Sequence, residues 1–114
     1  MIVTKANQAL LKQFYGDVPR ETMRAIVAVE KGKPIALVGV KIEKSRGVMF
    51  SEFTPECRNH PGFKRLLVKG IPDLFEIIPR YLPVYASADP AIEGAETLLK
   101  HVGFHHCEGD VWRR

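Results

Sequence analysis

With 114 residues, 46% of them hydrophobic and 26% charged, the chain has the size and balance of a single folded domain spanning 1–114, which excludes a disordered or fibrous protein. Nothing approaches about eighteen consecutive apolar residues, and Met1 to Tyr15 lacks the basic start, apolar run and small-residue cleavage site of an export signal, so a cytoplasmic location without membrane contact is expected. Seventeen Lys and Arg against thirteen Asp and Glu leave a formal charge of +4, a modest excess that points to an anionic ligand or partner.

Ile2 and Val3 predict a short first strand, and Ala6, Leu10, Leu11 and Phe14 the apolar stripe of a helix ending at Gly16. Three strand-forming runs follow, Met23 to Glu30, Ile35 to Glu43 and Val48 to Phe53, separated by turns of about four residues at Lys31-Gly32-Lys33-Pro34 and Lys44-Ser45-Arg46-Gly47. They read as an antiparallel meander whose middle strand, without a polar side chain until Lys41, is covered on both faces.

Thr54 to Gly62 holds two prolines and a glycine and reads as a loop. Phe63, Leu66, Leu67, Ile71, Leu74, Phe75 and Ile78 then keep helical spacing, with a kink or break expected near Lys69-Gly70 because Pro72 removes a backbone donor. Val84 to Ser87 is a short buried strand, stopped by Asp89-Pro90. Ile92, Ala95, Leu98, Leu99 and Val102 share one face of a second amphipathic helix, closed by Gly103 with Phe104 folding back as the hydrophobic contact of the cap. Phe104 to Arg114 reads as one last strand, frayed from Trp112 onward. The resulting order, β-α-β-β-β-α-β-α-β, describes a mixed-sheet α/β domain.

Cys57 and Cys107 make no CxxC pair and are expected as free thiols. His105-His106-Cys107 resembles a metal cluster, but consecutive residues of a strand point to opposite faces, so no metal site is expected. Arg58, His60, Lys64, Arg65 and Lys69 gather charge around the start of the central helix, where an anion site and a solvated helix face are equally good readings. Nucleic acid is not the expected partner, because Phe63 keeps core spacing instead of standing exposed among the cations. Asp89 suits a turn or cap, His101 the C-terminal end of a helix, and Trp112 a lid on the edge of a small core.

The element order, read with Ala95 to Phe104 (AETLLKHVGF), resembles the GNAT superfamily of acyl-CoA N-acyltransferases, and the run YASADPAIEGAETLL looks most like the short GNAT-like proteins encoded by bacteriophages. The resemblance implies acetyl transfer from acetyl-CoA, as co-substrate, to a primary amine acceptor. It also implies a pantetheine arm lying between the strands 48–53 and 84–87, and phosphates held by the loop that opens the central helix. Carried over by position, Phe53, Thr54, Arg58, Gly62, Phe63, Lys64 and Arg65 line the cofactor, and Glu52, flanked by Phe50 and Phe53, stands where a general base is expected. Glu52 suits a solvated strand position better, and Tyr85, the substitute proton donor, suits the core better.

Two departures are legible. The loop Arg58-Asn59-His60-Pro61-Gly62-Phe63-Lys64 keeps an Arg and a Gly without the family's spacing, Pro61 has no N–H, and Phe63 stands in place of a small residue. Leu99 stands where many members carry a tyrosine that protonates the departing thiolate. Both favour the alternative of a GNAT-like module without turnover, binding a partner or associated with a virion. The resemblance further implies a homodimer paired through C-terminal strands, or a phage protein as partner in the host cytoplasm.

Overall fold

The computed structural model describes residues 2–17, 22–88 and 94–114. Its centre is a seven-stranded sheet in the order β1-β2-β3-β4-β5-β7-β6. β1 (Ile2–Lys5), β2 (Met23–Glu30), β3 (Lys33–Glu43) and β4 (Arg46–Phe53) pair antiparallel in sequence order, β4 runs parallel to β5 (Val84–Ser87), and β7 (Val111–Arg113) inserts antiparallel between β5 and β6 (His105–Glu108).

Strand alternation sorts the core onto two faces. Ala25, Val27 and Leu37 pack against Leu10, Leu11 and Phe14 of α1 (Gln8–Tyr15), the predicted stripe. Ile26, Val38 and Val40 point the other way, onto Ile71, Leu74 and Phe75 of the central helix and Leu99 of α5 (Ala95–His101). β3 is therefore buried on both sides, as its unbroken apolar run requires.

α5 ends as Gly103 and Phe104 foretell. Gly103 takes φ +96, its N–H donates to Lys100 O at 3.1 Å, and the Phe104 N–H donates to Leu99 O at 2.8 Å, the paired bonds of a Schellman cap. Phe104 is 2% exposed. Asp89-Pro90 and Ile92 lie outside the described residues.

Four local expectations are corrected. The meander turns are two residues long, since Glu30 pairs with Lys33 and Glu43 with Arg46; Lys31 and Gly32 both take positive φ (51° and 77°), the geometry that matches strand twist in a tight hairpin. The stretch from Thr54 is not all loop: α2 (Pro55–Arg58) is a single helical turn, capped by Thr54 Oγ1 accepting the Cys57 N–H at 3.3 Å, with Pro55 in the first turn where its missing donor costs nothing. The break before Pro72 is a widening and not an end. α3 (Phe63–Arg65) runs through a π-helical turn, Leu66–Gly70, into α4 (Ile71–Glu76), so the extra residue is absorbed just before the proline ring would meet the preceding turn.

The C-terminus, finally, is a hairpin of β6 and β7 and not one frayed strand. Gly109 (φ +54) makes the turn. Trp112 is 3% exposed, and the Arg114 N–H donates to Val84 O at 2.9 Å while its guanidinium stacks 3.9 Å from the Phe75 ring centroid.

Candidate active site

β4 and β5 touch at one end only. Their pairing is confined to Gly47 with Val84 and Val48 with Tyr85, and beyond that point β4 continues to Phe53 paired, among the described residues, with β3. The Gly47 N–H donates to Pro83 O at 2.8 Å, so Gly47 turns its polar groups toward β5, whereas the Thr54 N–H, of opposite parity, donates to Ile35 O on the β3 side at 3.0 Å. Backbone groups alternate sides along a strand, so those of Ser51 and Phe53 are directed into the gap where the strands part. A parallel pair opened in this way leaves backbone donors and acceptors in the middle of a sheet for an extended, amide-bearing ligand.

The flanking side chains divide by face. Glu52 lies opposite Leu37, on the α1 face of the sheet, and is exposed; neither Phe50 nor Phe53 covers it. Tyr85 is half-buried on the same face, aligned with Val48 and with the Arg113 guanidinium 5.7 Å from its ring centroid. Four residues of β4 separate its level from Glu52, about 13 Å by strand rise, so the two do not converge on one atom. Leu99 is buried in the core at 7% exposure.

On the opposite face Phe53 and Phe63 form an edge-to-face pair with centroids 5.0 Å apart, which closes the start of the central helix over the end of β4. Thr54 is spent on structure: besides capping α2, its hydroxyl donates to Ile35 O at 3.0 Å. Arg58, Lys64 and Arg65 are all exposed around the loop.

His60, which the resemblance does not assign to the site, makes contacts through both ring nitrogens. Its Nδ1 accepts the Gly62 N–H at 2.8 Å, which places the ring hydrogen on Nε2, and Nε2 lies 2.6 Å from Glu30 Oε2. The Phe63 N–H is likewise used, donating to His60 O at 3.1 Å. The signal for His60 in the sequence is slight, because its partner Glu30 stands thirty residues earlier, at the end of β2.

No group of three or more metal-ligating side chains occurs among the described residues; His106 Nε2 contacts Gly109 O at 2.6 Å and its ring meets Trp112 edge-on. No described helix is long and apolar enough to cross a membrane. Cys57 is 0% exposed beneath α2, burial pushes its thiol up, and the Glu56 carboxylate adds to the rise, whereas Cys107 is exposed. A disulfide reagent at neutral pH is accordingly expected to titrate Cys107 first, on the order of 100-fold faster than Cys57. Equal rates for both thiols in the native protein would contradict this packing of α2.

No family model matches the chain, and no curated protein matches it. Solved structures do. A chimera of the spermidine N-acetyltransferase SpeG of Vibrio cholerae with hSSAT aligns at TM-score 0.63 and 16% identity, covering 99% of this chain and 94% of the other. An acetyltransferase of the GNAT family from Streptococcus pneumoniae aligns at TM-score 0.60 and 14% identity, over 98% and 95%. The aminoglycoside acetyltransferase AAC(6')-Ib in complex with coenzyme A and kanamycin aligns at TM-score 0.54 and 12% identity, over 94% and 70%. The mixed α/β architecture with its parted parallel strands is the GNAT acyl-CoA N-acyltransferase fold.

Proposed function

We propose that the chain is an acyl-CoA-dependent N-acyltransferase that moves an acetyl group from acetyl-CoA to a primary amine. The observation that carries this reading is the parting of β4 from β5 after Val48, which aims the backbone of Ser51 and Phe53 at a gap within the sheet. Structures of the same fold are of acetyltransferases, one of them in complex with coenzyme A and kanamycin, which supports the assignment.

In this reading the Ser51 and Phe53 groups hold the pantetheine amides and polarise the thioester carbonyl. Glu52, or a water held by it, takes the proton from the attacking ammonium so that the free amine adds to the carbonyl carbon. Collapse of the tetrahedral oxyanion breaks the carbon–sulfur bond, and the departing thiolate takes up a proton from water, Tyr85 standing about 13 Å from Glu52 along the sheet. Arg58, Lys64 and Arg65 face the phosphates together with Gly62 and Phe63, while Thr54 fixes the loop that carries them.

Isothermal titration with acetyl-CoA tests the assignment. Micromolar binding is expected, weakened about tenfold or more in an Arg58→Ala, Lys64→Ala double variant, because each cation lost removes a charge-assisted contact. Absence of heat and of thermal stabilisation at millimolar acetyl-CoA would remove the enzyme reading. Three features favour the other outcome: Leu99 buried where a tyrosine would serve, the Gly62 N–H already bonded to His60, and Phe63 packed on Phe53. In that case the chain is a GNAT-shaped binding module, and its partner is a second copy or a phage protein.

A further inference from the structure

We infer that His60 is a proton-linked latch on the phosphate loop: it withholds the Gly62 N–H while neutral and releases it, adding a donor of its own, when a phosphate-bearing ligand binds and the ring takes up a proton. The inference rests on the acyl-CoA reading of this loop.

The ring is held at both ends. Nδ1 accepts from the Gly62 N–H at 2.8 Å and Nε2 lies 2.6 Å from Glu30 Oε2, with the His60 side chain 25% and the Glu30 side chain 21% exposed. The first contact exists only while Nδ1 carries a lone pair. A proton from bulk water placed on Nδ1 turns that nitrogen into a donor facing another donor, so the Gly62 bond breaks. Glu30 touches the ring from the end of β2, and Arg58 and Lys64 stand on either side of His60 in sequence.

A phosphate in the loop favours the protonated ring, because it accepts from Nδ1–H and from the freed Gly62 N–H together. Pro61, which has no N–H, leaves Gly62 as the first donor of the loop after His60, so one imidazole governs whether that donor is available. Ligand binding and proton uptake are then reciprocal: the anion raises the affinity of His60 for a proton, and falling pH raises the affinity for the anion.

The test is titration calorimetry with acetyl-CoA at pH 6 and pH 8, in buffers of different ionisation heat, for the native protein and His60→Asn. The Asn oxygen can accept the Gly62 N–H but does not titrate, so the variant reports the pH dependence of the ligand's own phosphates. The native protein is expected to take up protons on binding where His60→Asn does not, and to gain about five- to tenfold more affinity than the variant on moving from pH 8 to pH 6. His60→Ala, which leaves the Gly62 N–H permanently free, gives the same comparison if the Asn variant does not fold, with the extra pH dependence again lost. Binding with equal pH dependence in native and variant proteins overturns the latch and leaves the acyl-CoA reading standing. No binding at either pH overturns the acyl-CoA reading and the latch with it.

Discussion

Replacing Phe104 by alanine is expected to cost the fold about 3–5 kcal/mol, a large share of the roughly 5–15 kcal/mol that holds a domain of this size together. The side chain is 2% exposed, its ring lies 5.8 Å from that of Phe75, and it shares a core with Ile71, Leu99 and Trp112. Alanine keeps the N–H that bonds Leu99 O, so the cap survives and the loss measures burial and the cavity left behind. Urea unfolding monitored by the fluorescence of Trp112 reads it directly: the midpoint falls while the slope is unchanged. A loss under about 1 kcal/mol would show that α5 and the β6–β7 hairpin collapse around the vacancy, and that they do not pack to native density.

The second large effect concerns chemistry. If Glu52 relays the amine proton, Glu52→Gln lowers kcat by about 10²–10³-fold while leaving KM for acetyl-CoA within about twofold, because the amide keeps the shape of the side chain and loses only its basicity. The exposed position of Glu52 makes stability insensitive to the change, so the melting temperature serves as the control. An unchanged kcat would move the base elsewhere on the α1 face, or leave the proton to solvent.

The elements that were legible in the sequence are those whose local chemistry and tertiary role agree. Leu98, Leu99 and Val102 repeat at helical spacing, Gly103 supplies the left-handed turn and Phe104 the buried contact, and no long-range partner is needed to read them. The same holds for β3, whose apolar run admits no exposed face. The errors have physical causes. Thr54-Pro55-Glu56 carries a full N-terminal helix signal, but a helix of one turn has no periodicity to betray it. Glu108-Gly109-Asp110 was hidden inside a short polar stretch, and burial of Trp112 depends on β5, which lies more than twenty residues earlier. The candidate site was half legible: the strand positions follow from chain order, but the hold of His60 on Gly62 depends on Glu30 across the fold, and the direction of the Ser51 and Phe53 backbone depends on strand parity fixed by pairing.

The π-helical turn at Leu66–Gly70 acts as a phase setting between two anchored bodies. Downstream, Ile71, Leu74 and Phe75 are locked to the sheet; upstream, Phe63 is locked to Phe53. In a regular helix each residue advances the azimuth by about 100°, so the one additional residue held in the wide turn decides which way the first residues of the helix look. Rewinding the same residues as regular α-helix would swing Phe63 and Lys64 about a third of a revolution away from Phe53. The facing of Phe63 is thus set by the pitch of the turn that follows it.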